Sequence, residues 1–491
     1  MPGPGTVVPG RLLEKGERMR EGKLYLAGRW ADGHDQYEVT SPWDGRPVAR
    51  VARGGRDTIE EAVASAAAAG PVLAAQEPAR RAAILEAVAE GVVRHRDELA
   101  AILVEEAGKP VMLARAEVDR CRDTFREAAA VARHPEMTVR DLGGYESGVG
   151  RLALIRRVPV GVVLAITPFN FPLNLVAHKL APAVAAGCPV VLKPASQTPS
   201  AALVLARLLH EAGLPEGGLS VVPSRGSEIE PFVEDARVAL VTFTGSMDVG
   251  WRLRRRGWRR RVALELGGNA AVVVEPDAGD PEAVAARIAS GAYGYAGQSC
   301  ISVQRILVHE SIVPAMREAL VRAVSAVPTG DPAREDVLCG PMIDTPNAER
   351  VAAWIQSAEE AGGRLLAGGR RAGGLVWPTL LENVPPDQPV VSDEVFGPVA
   401  VLDGYSNYEE ALKKVNDSRY GLQAGIFTRD IGKIQRAWDV LEVGGIIQGD
   451  VPTWRSDPMP YGGVKNSGTG REGPAWTVRE MTEERLLVLR R

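Results

Sequence analysis

A cysteine that follows a glycine–glutamine pair, in Gly297-Gln298-Ser299-Cys300, is a candidate thiolate nucleophile. Buried filler, the commonest fate of a free cysteine, is the alternative. Upstream, Glu265-Leu266-Gly267-Gly268-Asn269 puts a carboxylate at the end of an apolar run beside two glycines. The glycines let backbone or ligand approach closely, and the carboxylate suits a general base. Taken alone, it is more often a charge at a strand end. Three further turns each follow an expected strand: Pro168-Phe169-Asn170-Phe171-Pro172, Lys193-Pro194-Ala195-Ser196, and Thr244-Gly245-Ser246 running on to Gly250. The last opens a helix, whose free N–H groups suit a pyrophosphate.

The elements that must position these residues are legible as a change of texture. Residues 57–69, 78–107 and 113–132 carry apolar residues at helical spacing, with Asp57 and Thr58 as expected caps and Gly108-Lys109-Pro110 as a stop. From residue 158 short apolar strands alternate with helices: strands at 160–166, 190–192, 219–222, 239–243 and 262–266, and helices at 173–186, 200–212 and from 246. A second such series follows Gly267, with strands at 270–274 and 303–308 and helices at 281–295 and 312–327. Alternation of this kind predicts an α/β protein with mainly parallel sheets covered on both faces, whose ligands gather at the carboxyl ends of strands. Residues 450–474, dense in Gly and Pro, predict a long structured loop, and 1–23 a loose arm.

Bulk properties exclude several classes. A chain of 491 residues exceeds one core and predicts two or three units. Its net charge of −4 gives no general pull toward nucleic acid. The arginines crowded between Arg252 and Arg261 lack a recognisable binding module and read as a solvated helix face. No apolar run is long enough to span a bilayer. Four cysteines in so long a chain form no disulfide framework, which favours a reducing, cytoplasmic setting. The six histidines are scattered without ligand spacing, so no metal site is expected.

Taken in order, these motifs resemble the aldehyde dehydrogenase superfamily: the 168–172 loop, Lys193-Pro194, Gly-Ser-x-x-x-Gly at 245–250, Glu-Leu-Gly-Gly at 265–268 and Gly-Gln-x-Cys at 297–300. Glu-x-Phe-Gly-Pro at 394–398 and the glycine-rich stretch 462–472 complete the series. The resemblance implies oxidation of an aldehyde to the free acid with NAD(P)+. Cys300 would form a thiohemiacetal and then a thioester, Asn170 with the Cys300 N–H would hold the oxyanion, and Glu265 would activate water. Lys179 and Glu472 match proton-relay positions. For the cofactor, the resemblance implies contacts from Thr167, Pro168, Phe169, Lys193, Ser196, Gly245, Ser246, Leu266, Glu394 and Phe396. It also implies the family fold: a Rossmann-like cofactor domain at 24–135 and 158–266, an α/β catalytic domain at 267–448, and a small β oligomerisation unit from 136–157 and 449–491. A hairpin within 151–157 pairing with a strand near 485–489 would make a homodimer or homotetramer. Two rivals stay open: a coenzyme A-acylating relative, disfavoured by the presence of Glu265, and a catalytically silent structural member.

Two positions bear on substrate and cofactor. Relatives that take anionic aldehydes can place Arg at the positions of Ser299 or Gly294, so here Arg120, Arg122 and Arg455 are the candidate cations. The stretch Cys300–Arg305 with Pro452–Arg455 resembles the lactaldehyde and glyceraldehyde-3-phosphate branch. Many NAD+-selective relatives carry Glu at the position of Ser196. A serine removes its repulsion of a 2′-phosphate, so NADP+ is expected to be accepted, with Lys193 and Arg225 as phosphate partners.

Overall fold

The strands Val162–Ile166 and Val190–Lys193 are buried along their whole length. Strands without a wet face need helices on both sides and parallel neighbours. In the computed structural model, which describes residues 19–491, they lie at the centre of a seven-stranded sheet. Its order is Arg261–Glu265, Val238–Thr244, Val162–Ile166, Val190–Lys193, Leu219–Val221, Leu24–Leu26 and Arg29–Ala31; the first five are parallel, the last two antiparallel. The chain leaves Val162–Ile166 in one direction through Val190–Lys193 to Leu219–Val221, then returns to build Val238–Thr244 on its other side. The crevice at that reversal, outside the carboxyl ends of these strands, is where such a sheet binds ligands.

A second seven-stranded sheet has the order Arg364–Ala367, Thr379–Glu382, Val399–Tyr405, Val303–His309, Ala270–Val274, Gln423–Phe427 and Gly445–Gln448, parallel except at its first pair. Only four residues, 266–269, join the carboxyl end of Arg261–Glu265 to the amino end of Ala270–Val274. The two sheets therefore meet end to end. Cys300 arrives just ahead of Val303, whose strand pairs with Ala270–Val274.

Among the described residues, two three-stranded sheets and two short two-stranded ribbons complete the fold. Thr482–Arg490, Arg151–Pro159 and Met137–Asp141 form an antiparallel sheet in which Arg485 faces Arg156 and Leu489 faces Leu152. Of residues 449–491, only Thr482–Arg490 joins it; much of the preceding loop packs over the crevice. Arg20–Gly22, Pro47–Arg53 and Asp35–Thr40 form the other.

The structure corrects several expectations. Residues 20–22 of the expected arm are a strand, anchored because Arg20 pairs with the buried Glu105 and Glu106; residues 1–18 of that expectation lie outside the described residues. The expected 78–107 helix is two, Pro78–Arg94 and Arg96–Ala107, because His95 leaves helical geometry at φ −104°, ψ 23°, while its ring bonds Glu98. The first long helix, Arg56–Ala74, begins after Gly55 rather than being capped by Asp57 or Thr58, and no side chain caps it. Gly108 does end the Arg96–Ala107 helix, at φ +63°. The helix expected over 281–295 stops at Tyr293, since Tyr295, Ala296 and Gly297 all adopt left-handed conformations. The Arg252–Arg261 segment pairs with nearby acids: Arg252 and Arg256 bind Glu230, and Arg256 also binds Glu234.

Candidate active site

Three consecutive left-handed residues form an unusual turn. Each non-glycine among them costs about 1–2 kcal/mol, so the surroundings must hold the turn in place. The Tyr295 N–H donates to Leu338 O (2.9 Å) and its hydroxyl to Ala107 O (3.0 Å). Gln298, fully buried, donates from Nε2 to Pro341 O (3.2 Å) and accepts the Ile343 N–H at Oε1 (2.8 Å). A Cβ on Gly297 would lie 2.2 Å from Gly397 O, so no larger residue fits. This turn delivers Cys300 to the wall of a cavity of about 590 Å3.

The cavity sits at the sheet crevice and collects residues from every predicted motif except Lys193-Pro194-Ala195-Ser196. Pro168, Phe169 and Asn170 line it from the end of Val162–Ile166, Gly245 and Ser246 from the end of Val238–Thr244, and Glu265 and Leu266 from the end of Arg261–Glu265. Cys300, Glu394, Phe396 and Glu472 complete the set. Thr167, Lys179, Lys193 and Ser196 do not line it. Asn170 donates from Nδ2 to Gln298 O (3.1 Å), which ties its amide to the cysteine turn. Among the described residues, the Cys300 N–H donates to no protein acceptor.

The electrostatics divide the carboxylates sharply. Both oxygens of Glu265 are buried with no hydrogen-bond partner. That burial, with Glu472 and Glu480 nearby, pushes its carboxyl well above the usual range, against Lys179 and Arg455. Glu472 is equally buried, but Arg455 (3.2 Å) and Lys179 (3.8 Å) outweigh the burial and hold it low. Lys179 also donates to Thr242 Oγ1 (3.0 Å). Glu394 accepts the Gly268 N–H (3.0 Å); burial pushes its carboxyl up to about 7 against that bond. Burial pushes the Cys300 thiol up to about 12, opposed first by the Tyr461 hydroxyl at 2.9 Å.

Several residues that hold the site gave no signal in the sequence. Glu117 and Lys109 form a buried ion pair, and Glu117 Oε1 accepts the N–H groups of Leu173 (3.0 Å) and Asn174 (3.1 Å), just beyond Asn170. The Lys109 ammonium also sits 3.7 Å over the Phe171 ring. Asn269 and Gln304 hold the backbone at Val390, Val391 and Asp393, and with it Glu394. Ser467 bonds Gly267 O (2.7 Å), closing the glycine-rich loop on the Glu265 strand end. Of the candidate cations, Arg120 and Arg455 line the cavity, whereas Arg122 pairs with its neighbour Asp123 and does not. Arg120 binds Asp457 with two nitrogens (2.9 and 3.3 Å).

Residues that could hold a dinucleotide lie along the same sheet edge. Lys193 is buried, its ammonium bonds only Pro194 O among the described residues, and burial pushes that ammonium down to about 8. At the neighbouring strand ends, the hydroxyls of Thr167 and Ser224 are buried without a partner. Ser246 begins the Met247–Arg256 helix without using its side chain as a cap. An unpaired buried cation, orphan hydroxyls and a free helix N-terminus fit an anionic ligand rich in hydroxyls. Ser196 and Arg225 are exposed beside this edge, with Arg225 opening the short helix after Leu219–Val221.

Comparison with known proteins agrees with this arrangement. Residues 30–487 match the model of the aldehyde dehydrogenase family. The chain is 44% identical over 470 residues to the 3-sulfolactaldehyde dehydrogenase of Priestia aryabhattai, spanning 95% of this chain and 97% of that protein. The crystal structure of an aldehyde dehydrogenase from Physcomitrella patens, in complex with its reaction product succinate, superimposes with a TM-score of 0.95 at 39% identity, over 96% of this chain and 99% of the other. A glyceraldehyde-3-phosphate dehydrogenase from Methanocaldococcus jannaschii, complexed with NADP, gives 0.89 at 35% identity, over 93% and 100%.

Proposed function

The chain belongs to the aldehyde dehydrogenase family and oxidises an aldehyde to a carboxylic acid with NAD(P)+, and we propose that Cys300 is its nucleophile and Glu265 its hydrolytic base. The observation that carries this is the convergence of Cys300, Asn170, Glu265 and Glu394 from four distant segments on one cavity. Sγ of Cys300 adds to the carbonyl carbon, and the oxyanion is met by the Asn170 amide and the unengaged Cys300 N–H. When bound, NAD(P)+ supplies the hydride acceptor. Once the hydride has left, Cys300 carries the acyl group as a thioester. Glu265, unpartnered and rendered basic by burial, takes a proton from the water that attacks it. Lys179 and Glu472, whose charges act on Glu265 and which pair with each other at 3.8 Å, are proposed to take the proton on from it. The presence of a buried, unpaired base disfavours acyl transfer to coenzyme A, which needs none.

The substrate we propose is a short aldehyde bearing an anionic group. Arg455 is buried at the cavity wall, and its Nε–H has no partner. Such a donor is costly to leave unmet. Arg120 stands at the same wall, partly exposed. The named relatives act on, or yield, compounds carrying a sulfonate, carboxylate or phosphate.

For assembly we propose a homodimer or homotetramer built on the sheet that ends in Thr482–Arg490. Leu486, Leu487, Val488 and Leu489 are all exposed on that strand, and an uncovered apolar edge calls for a partner. The four cysteines are unpaired, which supports a cytoplasmic setting.

Cys300→Ala abolishes oxidation and leaves cofactor affinity intact; appreciable residual turnover would remove Cys300 from its role. Glu265→Gln still gives one turnover of reduced cofactor as a burst and then stalls. A base must be ionised to act, so with Glu265 present the hydrolytic rate declines as pH falls through a pKa well above the usual carboxylate range. Loss of the burst would give Glu265 a part in forming the thiolate as well.

In a substrate panel, succinic semialdehyde and sulfonated aldehydes exceed neutral aldehydes of equal length in kcat/KM. Arg120→Ala raises KM for the anionic members about tenfold or more, as for loss of a charged hydrogen bond, and leaves the neutral ones unchanged. A preference for neutral aldehydes would overturn the substrate proposal. NADP+ is used at least as efficiently as NAD+, and Ser196→Glu swings the preference to NAD+; a tenfold preference for NAD+ in the unmutated enzyme, about 1.4 kcal/mol, would refute the role given to Ser196. Light scattering reports a dimer or tetramer, and a monodisperse active monomer would exclude the assembly.

A further inference from the structure

Tyr461 stands directly before the Gly462-Gly463 pair, in a loop whose backbone is tightly fixed. Its N–H donates to Glu472 O (2.9 Å) and its carbonyl accepts the Glu472 N–H (2.6 Å). The ring is buried, and the Arg455 guanidinium lies 3.8 Å from its centroid. Arg455 is held in turn by Glu472. The phenol therefore has one position, and that position puts its hydroxyl 2.9 Å from Cys300 Sγ. No other side chain is hydrogen-bonded to the sulfur among the described residues.

We propose that Tyr461 is a catalytic residue, whose hydroxyl donates a hydrogen bond to the Cys300 sulfur and favours it as thiolate both when it enters and when it leaves. This rests on Cys300 being the nucleophile. Burial and the adjoining sulfur push the Tyr461 hydroxyl well above its ordinary range, so it keeps its proton and acts as donor rather than base. The cation against its ring face further favours the donor role. Hydrogen bonds to charged groups are the strong ones, and a buried thiolate has few other means of stabilisation.

The charge on sulfur changes twice in the cycle. On addition, a sulfur lone pair forms the C–S bond, the carbonyl π pair moves to oxygen, and the negative charge leaves Sγ. On hydrolysis, the oxyanion of the water adduct re-forms its π bond, the C–S bond breaks, and its electron pair returns to Sγ. Tyr461 transfers no proton in either step. Its bond is strongest when sulfur is anionic, so it raises the thiolate population before attack and eases departure from the thioester.

Tyr461→Phe removes one oxygen and leaves in place Glu394, Arg455 and Glu472, the charged groups that act on the sulfur, as well as Glu265, which acts on Tyr461. The test is the pH dependence of inactivation of the full-length enzyme by iodoacetamide, with mass spectrometry of the alkylated protein, parent beside Cys300→Ala, identifying the thiol that reacts. The apparent pKa for inactivation in Tyr461→Phe is expected to rise by about one unit, giving about tenfold less thiolate on the acid limb. Cofactor affinity and melting temperature stay near the parent values. Replacing Tyr461 by 3-fluorotyrosine, a stronger donor of nearly the same shape, is expected to move that pKa down, which keeps the test decisive should the phenylalanine variant fold poorly. An unmoved pKa in the variants that fold overturns the role of Tyr461 alone. If iodoacetamide inactivates the parent at a thiol other than Cys300, the nucleophile assignment falls with it.

Discussion

The site depends on one close passage of backbone. A Cβ placed on Gly268 would lie 2.2 Å from the carbonyl oxygen of Cys300, and one on Gly267 would lie 2.3 Å from the Glu394 carboxylate. Only a Cα without a Cβ permits that approach. The link between the two large sheets thus threads between a candidate nucleophile and a candidate cofactor contact while carrying Glu265 at its near end. Its shortness removes the freedom that a longer connection would give, so the sheets cannot separate without moving Cys300 relative to Glu265. Gly462 and Gly470 make a similar approach from above, where Cβ atoms would fall 2.8 and 3.3 Å from Glu265 Oε1.

Within this frame the polar groups fall into two kinds. Glu117, Glu472 and Asp457 are buried with their counter-ions, and these pairs fix backbone or orient a neighbour: Glu117 ties down the start of the helix after Asn170, and Glu472 holds Arg455. The second kind lacks partners: both Glu265 oxygens, Asn170 Oδ1, Arg455 Nε, and the hydroxyls of Thr167 and Ser224. Unmet buried polar atoms cost folding energy, about 1–3 kcal/mol each. Unmet atoms also occur away from the site, as at Tyr37 and Trp251, but these six stand at strand ends or on the cavity wall, where a ligand can supply the missing bonds. The satisfied pairs form the scaffold, and in the proposed mechanism the unmet atoms of Glu265, Asn170 and Arg455 are the ones that face substrate and water.

Much of this was legible from spacing. The turns at 168–172 and 244–250 were placed at strand ends because alternation located the strands, and a parallel sheet brings such ends together whatever their separation in the chain. Cys300 could be matched with Glu265 only through the ordered set of motifs, since neither stands out alone. Tyr461, the Lys109–Glu117 pair and the anchoring contacts of Gln298 were not legible, because their importance lies in contacts between segments far apart: Tyr461 meets Cys300 across 161 positions. The break at His95 was missed because apolar spacing continues unchanged through it. The left-handed turn at Tyr295–Ala296 was missed because those residue types ordinarily extend a helix. Tertiary contacts, rather than propensity, impose both.

The last forty residues have a consequence for the protein's birth. Arg455, Tyr461 and Glu472 close the cavity, and Thr482–Arg490 pairs with Arg151–Pro159 over its full length. A nascent chain can fold its first parallel sheet while the ribosome is still at work, but the cavity then lacks the wall that orients Cys300. Incomplete chains released by truncation or stalled translation would carry the thiol and no means of using it. In the proposed mechanism, activity therefore waits until residues 455–490 have been made and packed against the earlier part of the chain.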